Sequence, residues 1–304
     1  MTSCGTLTCT LCFSSWNSKF YNSIPDGHLV YFKINNMSQI NDKVNKLLTK
    51  IAKHTDLTNE VQTEIDPSVN FRRNSINILI GKRGSGKTYN VLKEILKLKY
   101  VKAHRYTKLV YVTDKPFDGT YERVKDEIPI SVEFVPYEDA VPKIRQIADA
   151  KAALKEMLDK KIPPSMLQDE AKAMLEDIVG EELDKVKEVY HTAVLLDDSQ
   201  NLFSARNQQN KDLLKLLFQN RQPNLSFFLT QQDALGLPTS LKENADSVWV
   251  FGGYSKQKFG NIARSVPHDE DFDALWSRYK TLSPREALIF YNYWDKSYTS
   301  ILNN

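Results

Sequence analysis

The sequence predicts an α/β fold in which a mostly parallel β-sheet is flanked by helices. Short apolar runs of strand length alternate along the chain with longer segments in which apolar residues recur at helical spacing. This alternation is typical of strand–helix–strand units, whose strands run parallel. A glycine-rich loop separates the first such strand, Ile76 to Ile80, from a helical pattern that continues to about Tyr100.

The loop after this strand matches the phosphate-binding pattern G-x-x-x-x-G-K-[ST]. Glycine permits backbone conformations that a side chain forbids, so the amide N–H groups can surround phosphates, and the helix N-terminus adds partial positive charge. Lys87 should reach the β- and γ-phosphates, and the hydroxyl of Thr88 should ligate Mg²⁺. The ligands are therefore predicted to be a nucleoside triphosphate and Mg²⁺. The expected nucleotide-binding residues are Gly81, Lys82, Arg83, Gly84, Ser85, Gly86, Lys87, Thr88 and Tyr89.

Composition sets broad limits. At 304 residues and 35.0 kDa, the chain suits one large α/β domain with extensions, or two small domains. A net charge of +3 is too small to indicate a nucleic-acid partner by itself. No apolar run approaches the length of a membrane span, and the stretch near Leu7 is too short for a secretory signal and lacks a basic leader. We expect an intracellular protein that is not secreted.

The chain is predicted to consist of an N-terminal extension, residues 1–70, and an ATPase domain, residues 71–304. Ser38 in the extension is a candidate cap for an amphipathic helix. The apolar residues of this helix recur at helical spacing at Ile40, Val44, Leu47 and Ile51. The helix should pack on the ATPase domain, with docking on a partner as the alternative.

All cysteines lie in the first dozen residues, at Cys4, Cys9 and Cys12. The remainder of the chain has none, which fits a reducing compartment and no disulfide framework. A zinc site here would need a fourth ligand, for which His28 is a candidate. The alternative is an irregular or packed terminus.

Residues 137–190 are predicted to form a charged helical insertion or lid within the ATPase domain. Two apolar stripes flank Pro163-Pro164 and indicate a helix–turn–helix hairpin. The stripes are Ile144, Ile147, Leu154 and Leu158, then Met174, Leu175, Ile178 and Leu183. The segment contains thirteen acidic and nine basic residues, so the rest of the chain carries a net charge of +7. The basic excess therefore belongs to the ATPase core and the N-terminal extension.

A second buried strand, from Thr192 to Leu196, ends in two acids. We expect this strand to lie beside the strand of the phosphate loop. Asp197 would then hold Mg²⁺ through water, and Asp198 would polarise the attacking water as catalytic base. Glutamate is the usual second acid in this arrangement, and aspartate is shorter by one methylene, so the role of Asp198 is the less certain of the two.

A third buried strand begins at Leu225 and ends in Thr230-Gln231-Gln232. A polar residue at its tip would lie near the γ-phosphate and sense it, and Gln231 is the candidate for this catalytic role. The alternative is a glutamine that makes only local hydrogen bonds. The other predicted elements are strands near Val110, Phe134 and Trp249, a helix from Gln208 to Asn220, a short helix after Pro238, and a hairpin of residues 287–302 that contains Trp294.

These motifs together resemble the FtsK-HerA superfamily of DNA-pumping ATPases. The resemblance is carried by Gly81-x-x-Gly84-Ser85-Gly86-Lys87-Thr88, by Leu195-Leu196-Asp197-Asp198, and by Arg221-x-x-x followed by residues 225–232. The Asp-Asp ending and the segment Leu237-Pro238-x-x-Leu241-x-x-Asn244-Ala245-Asp246 look most like the genome-packaging ATPases of poxviruses, other nucleocytoplasmic large DNA viruses and virophages. The resemblance covers about residues 75–255 and implies a RecA/FtsK-like P-loop NTPase fold.

The resemblance implies a ring-forming motor that drives double-stranded DNA into a preformed capsid. Its location would be the host cytoplasm, in the viral factory, and also the virion, with capsid or membrane-associated virion proteins as partners. Arg221 would act as an arginine finger on the γ-phosphate bound by the neighbouring subunit. Arg206 and, more distantly, Arg264 compete for this role. Ordinary surface arginines are the alternative in each case.

Other functions stay open at this point. One is a P-loop ATPase that remodels a protein partner, and another is an interaction scaffold that binds nucleotide without turnover. A GTPase is disfavoured because the chain has no N-K-x-D guanine-recognition motif. A small-molecule kinase is disfavoured because it leaves Gln231 and Arg221 unexplained.

Overall fold

The computed structural model describes residues 69–98, 106–115, 119–180, 182–203, 210–293 and 296–302. These residues belong to a compact unit that spans Val61–Asn304. Several predictions fall outside the described residues: the helix after Ser38, the cysteine site with His28, and the roles of Arg206 and Trp294. The domain boundary at residue 70 stays a prediction.

The described residues form one eight-stranded sheet with the order β3-β2-β4-β5-β1-β6-β7-β8. The pairs among the first six strands are all parallel, whereas β7 pairs antiparallel with β6 and with β8. The predicted α/β class with a mostly parallel sheet is therefore confirmed. The strands are β1 Ile76–Ile80, β2 Tyr106–Val112, β3 Ser131–Val135, β4 His191–Leu196, β5 Leu225–Gln231, β6 Ser247–Phe251, β7 Ala287–Tyr293 and β8 Lys296–Leu302.

Helices connect the strands and cover both faces of the sheet. They are α1 Lys87–Lys97, α2 Gly119–Glu122, α3 Ala140–Asp159, α4 Asp169–Val179, α5 Asn210–Phe218, α6 Thr239–Asn244, α7 Lys256–Ala263 and α8 Phe272–Tyr279. On one face, α1 packs Val91 and Ile95 against Leu79 and Phe228 of the central strands. On the other face, residues of α3, α4, α5, α7 and α8 pack together with Ile78. Strands covered on both sides in this way are apolar along most of their length.

The segment of residues 137–190 connects β3 to β4 and contains α3 and α4. Ile144 and Ile147 of α3 and Ile178 of α4 are buried in one cluster with the sheet, as the two apolar stripes predict. Met174 differs, because its side chain is 51% exposed. The helical hairpin is therefore observed, and its role as an insertion or lid stays a prediction.

The position of β4 differs from the expectation. The sequence predicts β4 beside β1, but β5 lies between them and pairs in parallel with both. The register places Leu196 opposite Leu229 and places Ile80 opposite Gln231. The carboxyl ends of β4, β5 and β1 therefore lie side by side. The end of β5 separates the acids that follow β4 from the glycine loop that follows β1.

The opposite edge of the sheet holds Arg221 and Asp246. Asp246 directly precedes β6, and its Oδ2 accepts a hydrogen bond from the backbone N–H of Ile76 at 2.7 Å. The guanidinium of Arg221 lies 3.9 Å from Asp246 Oδ1. Burial raises the pKa of Asp246 to about 6, although the Ile76 N–H and Arg221 oppose this shift.

The raised pKa predicts a pH-dependent contribution of Asp246 to stability. The folded state binds the proton more tightly than the unfolded state, so this group makes the protein more stable as pH falls from above 6 to about 4. We expect the unfolding free energy of wild type, relative to Asp246→Asn, to rise by about 2 kcal/mol between pH 7.5 and 4.5. Urea titrations at each pH measure this difference.

Asp269→Asn serves as the control for this titration, because Asp269 is an exposed aspartate. Parallel curves for wild type and Asp246→Asn would contradict the prediction.

Candidate functional site

The glycine loop after β1 presents backbone N–H groups at the start of α1. Gly84 and Gly86 have φ angles of 78° and 84°, in the left-handed region that glycine adopts without strain. Gly86 is the N-cap of α1. Within the described residues, no side chain caps this helix and no acid lies in its first turn. The first amides of a helix have no intrahelical acceptor, so this end of α1 favours an anion.

Two side chains of the loop are consistent with a phosphate ligand. Ser85 Oγ is buried and has no hydrogen-bond partner among the described residues. The Nζ of Lys87 donates to the backbone oxygens of Gly81 at 2.9 Å and Lys82 at 3.1 Å. Burial lowers the pKa of Lys87, whereas the carboxylates of Asp197 and Asp198 act in the opposite direction. A buried hydroxyl without a partner and a cation at the same loop fit a triphosphate.

The remaining loop residues of the predicted set face outward. The side chains of Lys82 and Arg83 are exposed, and that of Tyr89 is 41% exposed. Their backbone lies in the loop and the first turn of α1, so any contact with phosphates would come from backbone groups or from side chains that move.

The two predicted metal ligands meet in the structure. Thr88 Oγ1 donates to Asp197 Oδ1 at 2.7 Å, across a separation of 109 residues in sequence. Thr230, at the penultimate position of β5, donates to the same carboxylate oxygen at 2.6 Å. The carboxylate therefore joins the start of α1 to the ends of β4 and β5. One carboxylate with one hydroxyl is a donor set that suits Mg²⁺, which retains waters and phosphate oxygens as its other ligands.

No cluster of three or more His, Cys, Asp or Glu side chains in the described part of the chain could hold a metal ion. A site built only from protein side chains is therefore not seen in these residues. A shared site, in which Thr88, Asp197 and nucleotide phosphates hold Mg²⁺ together, agrees with this observation.

Asp198 occupies an unusual backbone conformation at the end of β4. Its φ angle is 47°, a left-handed value that aspartate adopts more readily than most residues. Its backbone N–H donates to Thr230 Oγ1 at 2.8 Å. The exposed carboxylate accepts hydrogen bonds from Gln232 Nε2, at 3.1 Å to each oxygen. The turn thus directs the carboxylate of Asp198 away from that of Asp197.

Gln231 lies at the same carboxyl edge of the sheet, but its side chain contacts Ser199 and not the two acids. Its side chain is fully buried, and its Nε2 donates to Ser199 Oγ at 2.5 Å. Its backbone oxygen accepts the N–H of Gly81 at 3.0 Å, which ties β5 to the phosphate loop. Its Oε1 has no hydrogen-bond partner among the described residues. The proposed sensor therefore touches the phosphate loop through its backbone, whereas Gln232 contacts Asp198.

Two tyrosines near Asp197 were not predicted from the sequence. The hydroxyl of Tyr111, in β2, donates to Asp197 Oδ2 at 3.3 Å, and that of Tyr137 donates to the backbone oxygen of Asp197. Burial raises the pKa of Tyr137, so its hydroxyl stays protonated and remains a donor. The only sequence signal for them is their position just before or just after strand ends, which many tyrosines share.

The candidate arginine finger Arg221 is not near the phosphate loop of its own subunit. Arg221 lies before β5, at the amino edge of the sheet, and β5 itself spans seven residues, about 23 Å. Arg264 follows α7, and its Nη2 donates to Asn261 Oδ1 at 2.6 Å. Arg221 therefore cannot reach the phosphate loop of its own subunit.

Comparison with known proteins gives matches among solved structures alone. No protein-family model matches the chain, and no curated protein matches it. The genome packaging NTPase B204 of Sulfolobus turreted icosahedral virus 2, in complex with AMPPCP, is 15% identical with a TM-score of 0.47, covering 76% of this chain and 97% of that one. The ATPase segment of EssC from Geobacillus thermodenitrificans is 14% identical with a TM-score of 0.48, covering 75% of this chain and 39% of that one.

The DNA-packaging ATPase B204 from Sulfolobus turreted icosahedral virus also matches, at 14% identity and a TM-score of 0.47 over 76% of this chain. The assignment of a P-loop NTPase fold rests on the glycine loop between β1 and α1 and on the sheet order, not on these likenesses. Within the described residues, none of the helices is both long enough and apolar enough to cross a membrane.

Thr230 donates a hydrogen bond to Asp197 and accepts one from the backbone N–H of Asp198, so its replacement should change stability. Replacing it with valine leaves the Asp198 N–H without its acceptor and removes one of the three hydroxyl donors to the Asp197 carboxylate. We expect Thr230→Val to lower the free energy of unfolding by about 2 kcal/mol or more. Thr230→Ser keeps the hydroxyl and loses one buried methyl, which costs about 1 kcal/mol. Denaturant titration of both variants is the measurement, and a valine variant at least as stable as the serine variant would contradict the prediction.

Proposed function

We propose that this protein is an ATPase that translocates double-stranded DNA and packages a viral genome into a preformed capsid. The hydrogen bond between Thr88 and Asp197 carries the first half of the proposal, because it joins the phosphate loop to the acid that follows a neighbouring strand. The second half, DNA translocation, is supported by the resemblance of the motifs to the FtsK-HerA superfamily. We place the protein in the host cytoplasm at the viral factory, and in the virion.

The residues divide the chemistry of hydrolysis among them. Lys87 and the loop amides hold the phosphates, and Thr88 and Asp197 hold Mg²⁺, which supplies charge neutralisation when bound. Asp198 accepts the proton of the attacking water. The water oxygen bonds to the γ-phosphorus while the bond to the β-phosphate oxygen breaks, and the electron pair leaves on ADP. Gln231 senses the γ-phosphate through its link to Gly81.

The proposal implies that the substrate is double-stranded DNA of any sequence. A packaging motor must accept any sequence, so its contacts are with phosphates and not with base edges. The net charge of +7 outside residues 137–190 agrees with such contacts. A ring would surround the duplex, and capsid or membrane-associated virion proteins would hold the ring at the shell.

DNA should stimulate hydrolysis. We expect the ATPase rate of wild type to rise with double-stranded DNA of any sequence, and the stimulation to weaken as salt increases, because phosphate contacts release counterions. Steady-state ATPase assays with two duplexes of different base composition measure this. Lys87→Ala is the negative control and should hydrolyse no ATP with or without DNA.

Two other results would support other functions. Stimulation by a protein partner and not by DNA would favour a remodelling ATPase. Nucleotide binding with no hydrolysis in any condition would favour an interaction scaffold and would remove the enzymatic proposal.

The arginine finger can be tested by mixing variants. Each site of a ring would combine Asp198 of one subunit with Arg221 of its neighbour. Asp198→Asn and Arg221→Ala should each be inactive, with losses of roughly 100-fold or more. In an equal mixture assembled together, about a quarter of interfaces pair an intact Asp198 with an intact Arg221, so activity should partly return.

The control mixtures replace Arg221→Ala with Arg206→Ala or with Arg264→Ala. Recovery with one of these and not with Arg221→Ala would move the finger to that residue. Full activity of the isolated Arg221→Ala protein would show that Arg221 takes no part.

A further inference from the structure

Gln232 connects the proposed base, Asp198, to Tyr254. It directly follows β5, and its side-chain amide donates to both carboxylate oxygens of Asp198, at 3.1 Å each. Among the described residues, these are the side-chain hydrogen bonds of the Asp198 carboxylate. Asp198 is exposed and has a short side chain, so without such a donor its carboxylate is free to rotate.

Gln232 is itself held by Tyr254. The hydroxyl of Tyr254 donates to the backbone oxygen of Gln232 at 2.7 Å. Tyr254 is buried, and its backbone N–H donates to the hydroxyl of Tyr279 at 3.1 Å. The position of Tyr254 is therefore fixed by the segment after β6 and by α8. It holds the backbone of Gln232, whereas Asp198 contacts the side chain of Gln232.

Lys258 and Asp233 also restrain the turn that contains Gln232. Lys258 Nζ lies 4.8 Å from the centre of the Tyr254 ring and 2.8 Å from Asp233 Oδ2. Asp233 is the residue after Gln232, so an ion pair from α7 restrains the same turn. The turn after β5 is thus attached at two successive residues, to Tyr254 and to Lys258.

We propose that Gln232 is a positioning residue for hydrolysis: it fixes the carboxylate of Asp198 in the orientation that accepts the proton of the attacking water, and Tyr254 fixes Gln232. This inference rests on the proposed function, because it takes Asp198 as the base. A carboxylate has about four lone-pair sites. The amide of Gln232 uses two of them and leaves the other two for water.

A substitution that keeps the size of the side chain supplies a test that a merely structural role would not meet. Gln232→Glu has nearly the same shape as glutamine, but it loses the amide donor and places a like charge beside the Asp198 carboxylate. It should therefore impair the chemical step and leave nucleotide binding in place. A side chain that only filled space at this turn would tolerate the change.

The experiment measures kcat and KM for wild-type protein and four variants in the presence of duplex DNA. We expect Gln232→Ala to lower kcat by roughly 10-fold or more with KM nearly unchanged, since ordered proton transfer contributes about 100-fold or more to such reactions. Gln232→Glu should lower kcat by at least the same factor, also with KM nearly unchanged. Tyr254→Phe, which keeps the ring and loses the hydrogen bond, should lower kcat by a smaller factor.

Gln219→Ala is the matched control, since Gln219 is an exposed glutamine at the end of α5. It should behave as wild type in every measurement. A thermal unfolding scan of each variant accompanies the kinetics. If Gln232→Ala is unfolded, the kcat of a folded Gln232→Glu still decides the question.

Failure of the inference and failure of the proposed function give different results. An active wild type with an inactive Asp198→Asn, and Gln232 variants that match Gln219→Ala, would overturn the inference and leave the proposed function intact. A folded Gln232→Glu with the kcat of wild type would also overturn it. A wild type that hydrolyses no ATP would overturn the proposed function, and with it the assignment of Gln232.

Discussion

The carboxylate of Asp197 is the point on which the rest of the site depends. Neighbouring strands lie about 4.8 Å apart, so the insertion of β5 separates β1 from β4 by about 10 Å. Asp197 and Thr88 meet across that distance because α1 leans over the end of β5, where Thr230 donates to the same oxygen. Without the hydroxyl of Thr230, this carboxylate would lose its hydrogen bond to the strand that lies between β1 and β4. The site is therefore a property of three adjacent strand ends, and it would not form from β1 and β4 alone.

The local elements of this fold could be predicted from the sequence because their signals are local. The glycine loop, the apolar run of β1 and the helical spacing in α1 all lie within about twenty residues, and each agrees with the structure. The order of the strands has no such signal. Both β4 and β5 are buried along almost their whole length, so either could stand next to β1 with equal apolar burial. Only long-range packing chooses between them.

The same burial explains why Gln231 and not Gln232 was selected as the polar residue at the strand tip. Successive side chains of a strand point to opposite faces. A strand with one exposed face reveals its orientation through alternating polarity, but β5 is buried on both faces and its polar residues do not alternate. The structure shows that Thr230 and Gln232 contact the two acids, whereas Gln231 contacts Ser199. Tyr111 and Tyr137 were missed for a related reason, since each reaches Asp197 from an element whose position the sequence does not reveal.

The location of Arg221 constrains any assembly in which it acts. The phosphate loop lies at the carboxyl edge of the sheet and Arg221 at the amino edge, so an interface that joins them brings opposite edges of two subunits together. Such a head-to-tail contact is heterologous, and it closes into a ring when the rotation permits. The contact between Arg221 and Asp246 does not prevent this. The charged atoms are 3.9 Å apart, and the arginine side chain is 52% exposed, so the ion pair is weakly held. A neighbouring triphosphate carries more negative charge than one carboxylate, so it would compete with Asp246 for the guanidinium.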